Sequence, residues 1–69
     1  QRTDKIALRR INELIKDARR DPFNGIGKPE MLKHDLAGLW SRRINDTDRL
    51  TYYLENDILV IVGCKGHYK

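Results

Sequence analysis

Apolar and polar positions follow two different periods along this chain, and the change of period divides it. Between Thr3 and Arg20, the residues Ala7, Ile11, Leu14, Ile15 and Ala18 recur mostly at three- and four-residue steps, which predicts a helix with one apolar stripe. Thr3 is placed to cap it, Asp4 falls in its first turn, and Arg19 and Arg20 fall in its last, so that each charge suits the helix dipole. Pro22 disfavours a helical Asp21 and closes the segment. From Leu39 onward the period is two. Leu39–Ile44 predicts a strand with Trp40 and Ile44 on one face and Leu39, Ser41 and Arg43 on the other. Arg49–Leu54 predicts the next, where Leu50, Tyr52 and Leu54 alternate with Arg49, Thr51 and Tyr53. Ile58–Val62 is a continuous apolar run and predicts a strand covered on both faces. Polar turns at Asn45–Asp48 and Glu55–Asp57 join these strands into an antiparallel meander. Between helix and meander, Asn24-Gly25 and Gly27 predict a loop, and Pro29–Leu36 predicts one helical turn. That turn would set Glu30, Lys33 and His34 on one side and Leu32 and Leu36 on the other. A helix followed by strands predicts an α+β fold, a helix packed on a small antiparallel sheet.

A length of 69 residues bounds the chain, residues 1–69, to one domain. A core of that size supplies about 3–5 kcal/mol, so a partner chain is expected to add stability. Cys64 is the single cysteine and reads as a small apolar filler in a reducing, cytoplasmic setting. No apolar run is long enough to span a membrane as a helix. The first residue is Gln1 rather than methionine, so the chain is expected to be part of a longer product. The net charge of +4 is uneven, because residues 1–33 carry nine Lys/Arg against five Asp/Glu while the remainder balances. A basic half favours a polyanion or an acidic protein as partner; the competing reading is a solvated helix face. The spacing of Gly25 and Gly27 does not match a nucleotide-binding fingerprint. Two histidines and one cysteine, without ligand spacing, predict no metal and no cofactor.

If Leu50, Tyr52 and Leu54 pack under the helix, Arg49, Thr51 and Tyr53 face the other way, with Arg43 beside Arg49. The tail after the last strand then carries His67 and Tyr68 toward that surface, and the segment before the meander carries Glu30 and Lys33. One carboxylate, several cations, an imidazole and a phenol suit metal-free cleavage of an RNA phosphodiester. Glu30 would accept the 2′-hydroxyl proton, and His67 would protonate the leaving 5′-oxygen. Arg49 and Arg43 would stabilise the charge on the phosphorane. Lys33 would hold a phosphate, and Tyr68 would stack on a base or orient the phosphate. Plainer roles compete: Glu30 as a charge at a helix start, Arg43 and Arg49 as guards of a sheet edge, His34 as a surface residue. Spacing alone leaves a nuclease and a basic RNA- or ribosome-binding module both open.

Longer runs narrow the choice. Lys28-Pro29-Glu30-Met31-Leu32-Lys33-His34, Leu36-Ala37-Gly38-Leu39-Trp40-Ser41-Arg42-Arg43-Ile44, Asp48-Arg49-Leu50 and Cys64-Lys65-Gly66-His67-Tyr68 resemble, in order and spacing, the YoeB/Txe toxins of bacterial type II toxin–antitoxin systems. So does Ile11-Asn12-Glu13-Leu14-Ile15-Lys16-Asp17 followed by Arg19-Arg20 and Pro22-Phe23. The resemblance implies a RelE-like fold and an mRNA interferase acting in the ribosomal A site. It puts the general base on Glu30, the phosphate-stabilising arginine on Arg49, the general acid on His67 and the terminal tyrosine on Tyr68, with Lys33 and Arg43 as auxiliary cations. It further implies a YefM/Phd-type antitoxin partner, operator DNA bound only through the toxin–antitoxin complex, and a possible homodimer. A non-enzymatic toxin of the ParE branch is the alternative within this fold. The family pattern departs in one respect: its N-terminal strand and an aromatic-rich helical start are missing before Gln1.

Overall fold

The computed structural model describes the backbone of residues 2–64 and the side chains of residues 5–64. Helix α1 spans Arg2–Arg20, so Thr3 is a helical residue rather than a cap. Strand β1 is Glu30–Met31, a 3₁₀ turn covers His34–Leu36, and β2, β3 and β4 are Trp40–Arg43, Arg49–Glu55 and Ile58–Gly63. The strands form one antiparallel sheet in the order β1-β2-β3-β4. The α+β class is as expected, a helix on a small antiparallel sheet.

Two elements differ from the sequence reading. Glu30 and Met31 are not helical; they pair with Ser41 and Trp40 along the edge of β2, and Leu32 N–H continues the ladder to the Leu39 carbonyl at 2.9 Å. An open strand edge offers these residues backbone partners that a single isolated turn does not. Helical character is confined to His34–Leu36, so Glu30 and His34 do not share a helix face. The second difference is β4. Among the described residues it pairs with β3 alone, and Ile58, Ile61 and Val62 are 64%, 37% and 48% exposed rather than covered on both faces.

Local chemistry explains the turns. Asn45 Oδ1 accepts hydrogen bonds from the backbone N–H groups of Thr47 (2.9 Å) and Asp48 (2.8 Å), turning β2 into β3. Asn56 and Asp57, at φ 53° and 66°, make the two-residue hairpin between β3 and β4. The pairing of Thr51 with Gly63 and of Tyr52 with Ile61 leaves Val62 as the extra residue of a bulge in β4.

The core lies between α1 and one sheet face. Leu14, Ala18, Ile44, Leu50 and Tyr52 are buried there, with Ile11, Ile15, Trp40 and Leu59 packed around them. Helix and sheet approach closely at Gly27 (φ 79°), where an added Cβ would lie 2.7 Å from Leu14 Cδ2 and 3.1 Å from Arg42 Cβ. Within this apolar layer sits a charge. Arg42 is wholly buried, and each of its five N–H groups finds an acceptor. Nε donates to Tyr52 Oη (2.9 Å), Nη1 to Asp17 Oδ2 (2.6 Å) and the Ile26 carbonyl (3.1 Å), and Nη2 to the Asp21 (2.6 Å) and Asn24 (3.2 Å) carbonyls. Tyr52 Oη donates onward to the Pro22 carbonyl at 2.7 Å. One side chain therefore fastens the helix end, the whole 21–26 loop and the central strand together. The Arg42 guanidinium, followed by the Ile26 N–H, holds the Asp17 carboxyl down at about 2, below its ordinary 3.8.

Replacing Arg42 with Met keeps the volume and strands several acceptors, so the melting temperature is expected to fall by about 10 °C or more in a thermal melt. Because Asp17 titrates lower folded than unfolded, the stabilisation from its carboxylate is complete above about pH 5 and disappears as pH falls toward 2. Denaturant melts across that window are expected to show this loss, and Asp17→Asn is expected to flatten it.

Candidate active site

Alternation along β2 sends Arg42 inward and its neighbours Ser41 and Arg43 to the opposite face. Three residues line up there in one row across the sheet: Glu30 on β1 stands opposite Ser41 on β2, which stands opposite Thr51 on β3. In the next row Arg43 is the direct cross-strand partner of Arg49. The expected neighbourhood of these two arginines is therefore present, and Glu30 joins it as a strand residue rather than from a helical turn.

Arg49 Nη1 donates to Glu30 Oε1 at 3.4 Å and to Ser41 Oγ at 3.3 Å. The Glu30 and Arg49 side chains are 61% and 39% exposed, and ion pairs so open to water contribute little to stability, about 0–1 kcal/mol. Two arginines side by side, moreover, repel each other. Arg43 meets Asp46 only at 3.7 Å, with both side chains open to solvent. The surface is thus arranged at some electrostatic cost, with a carboxylate and guanidinium groups converging from three strands. Such a set can exchange a proton and hold an anion.

Lys33 is exposed just before the 3₁₀ turn, and no salt bridge joins it to the other described residues. His34 is exposed, at φ 60°. His67 and Tyr68 lie outside the described residues. Described backbone ends with Gly63 paired to Thr51, at the end of the Glu30–Ser41–Thr51 row, followed by Cys64, which packs against the core. Among the described residues no group of three or more His, Cys, Asp or Glu side chains is placed to hold a metal ion. A groove of about 830 Å³, lined by residues such as Ile15, Phe23, Leu54 and Leu59, opens between the helix and β3–β4, away from the Glu30–Arg49 pair.

Sequence reasoning missed Ser41 as a contact of Arg49 and Asp17–Arg42 as the internal anchor. The signal for Ser41 was its place on the Arg43 face. The signal for Arg42 was a guanidinium at a position the alternation assigns to the helix side.

Comparison with known proteins identifies the family to which the sequence and fold belong. The family model described as a YoeB-like toxin of bacterial type II toxin–antitoxin systems matches residues 1–68. Toxin YoeB of Escherichia coli K12 is 57% identical over 68 residues, which cover 99% of this chain and 81% of that protein. A YoeB/ParE toxin from Agrobacterium tumefaciens superposes with a TM-score of 0.89 at 46% identity, covering 99% of this chain and 82% of that one. A YoeB–YefM complex from Staphylococcus aureus gives a TM-score of 0.87 at 45% identity, covering 99% and 79%. Sequence and fold together therefore show that the chain belongs to the YoeB-like toxin family of bacterial type II toxin–antitoxin systems.

Proposed function

We propose that this toxin is an endoribonuclease that cuts mRNA on the ribosome by metal-independent acid–base chemistry. The observation that carries the proposal is the convergence of Glu30 and Arg49, from β1 and β3, on an exposed surface where their pairing adds little stability. Glu30 accepts the proton of the 2′-hydroxyl, whose oxygen then attacks the adjacent phosphorus. The phosphorane gathers negative charge on its non-bridging oxygens, and the planar guanidinium of Arg49 meets it with fixed donors. The 5′-oxygen leaves with a proton from His67, and Tyr68 orients the phosphate or stacks on a base. Strand β4 supports this reading, since it brings the chain at Gly63 level with Thr51. Four residues of extended chain allow His67 a reach of at most about 13–14 Å from Gly63. Arg43 and Lys33 add positive potential for the flanking phosphates. The basic first half and the ion-rich surface suit an acidic antitoxin of the YefM type, the partner named in the Staphylococcus aureus complex.

Primer extension on mRNA from a translating extract tests the reading. The wild-type chain is expected to produce new 5′ ends within the translated region. Glu30→Ala and His67→Gln are each expected to lower cleavage by about 10²–10⁴-fold, and Arg49→Ala by about 10²–10³-fold, all with unchanged melting temperatures. Intact mRNA with the wild-type chain, or full cleavage by all three variants, would overturn it. Arg43→Ala and Lys33→Ala are expected to raise KM more than they lower kcat and to weaken its salt dependence, as read from cleavage rates at increasing KCl.

A further inference from the structure

Resting on the nuclease reading, we infer that the Ser41 hydroxyl is a positioning residue that holds Arg49 in place through the proton-transfer cycle. Both acceptors near Arg49, Glu30 Oε1 and Ser41 Oγ, lie on the same nitrogen, Nη1. That nitrogen carries two hydrogens, one for each acceptor, which leaves Nε and Nη2 as the edge available for a phosphate. The two anchors differ in chemistry. Glu30 loses its negative charge on taking the 2′-hydroxyl proton, at the moment the phosphorane most needs Arg49 in register. Ser41 is neutral throughout and remains an acceptor at every stage. Its side chain is wholly buried, so water does not compete for it. The neighbouring Thr51 hydroxyl is also buried and has no hydrogen-bond partner among the described residues, so it does not draw the serine away. Restraint is needed because Arg43, directly opposite, repels the Arg49 guanidinium.

The test measures kcat and KM for mRNA cleavage on translating ribosomes, together with melting temperature. Ser41→Ala and the near-isosteric Ser41→Cys, whose thiol is a weak acceptor, are expected to lower kcat by about tenfold or more. KM is expected to stay within about twofold, and the melting temperature to fall by about 4–8 °C, as the loss of one hydrogen bond worth about 1 kcal/mol at a buried hydroxyl implies. Ser41→Thr, which keeps the hydroxyl but adds a methyl at a buried position, is expected to recover part of kcat relative to Ser41→Ala. In an Arg49→Ala background, assayed with excess toxin, Ser41→Ala is expected to cause no further loss. Wild-type kcat in both Ser41→Ala and Ser41→Cys would overturn the inference, as would the same fold-loss in the absence of Arg49. Failure of the wild-type chain to cut mRNA would instead refute the nuclease reading, and the role of Ser41 with it.

Discussion

A guanidinium buried in so small a protein is tolerable only when every donor is met, and Arg42 meets that condition. Its partners come from α1, from the loop that follows and from β3, so satisfying one residue fixes three parts of the chain relative to one another. The loop buries only part of its apolar surface: Phe23 and Ile26 remain substantially exposed, although Phe23 packs against Trp40. Its carbonyls are ordered by Arg42 and its Ile26 N–H by Asp17. From there the chain has only Gly27, Lys28 and Pro29 before Glu30, and the Gly27 carbonyl accepts the Arg43 N–H at 2.7 Å. The anchor therefore determines where β1 meets β2, and so where the Glu30 carboxylate stands.

Strand β2 serves two purposes through its pleat. Successive residues Ser41, Arg42 and Arg43 point alternately, so the middle one organises the interior while its neighbours furnish the candidate site. Two arginines adjacent in sequence thereby have opposite circumstances. Arg42 is rigid, neutralised by Asp17 and saturated with acceptors. Arg43 is half-exposed and held against another cation. An arrangement selected for stability alone would not set Arg43 opposite Arg49. Under the proposed function, anion binding would give that juxtaposition a purpose, since a phosphorane would supply the missing negative charge.

Periodicity made much of this legible. The helical stripe of Leu14 and Ala18, the inward Leu50 and Tyr52, and the partnership of Arg43 with Arg49 all follow from residue spacing and short polar turns. Strand β1 did not, because two residues carry no period, and Pro29 followed by Glu30 looks like a helix start. Arg42 escaped notice because a charged residue among Trp40 and Ile44 reads as an interruption of the apolar face rather than its centre. For β4, a continuous apolar run cannot distinguish a strand covered on both faces from one left partly exposed. The inventory of chemical groups placed Glu30 on the Arg49 surface and the family resemblance agreed, but both left it on a helical turn rather than on β1. Ser41 is small and polar, and only the coordinates reveal its contact with Nη1. His67 and Tyr68 fall outside the described residues, so the roles proposed for them rest on their chemistry, on the resemblance and on the direction in which β4 runs.

Arg42 holds the interior, whereas the exposed pair Glu30 and Arg49 is the part proposed for chemistry. The most direct measurement is mRNA cleavage and thermal unfolding on the same preparation of the double variant Glu30→Gln/Arg49→Met. If the pair serves chemistry rather than the fold, the melting temperature is expected to stay within about 8 °C of the parent chain, as for an exposed ion pair worth about 1 kcal/mol or less, with no detectable cleavage. A variant that still cuts mRNA, or one whose fold collapses on losing these two exposed charges, would contradict it.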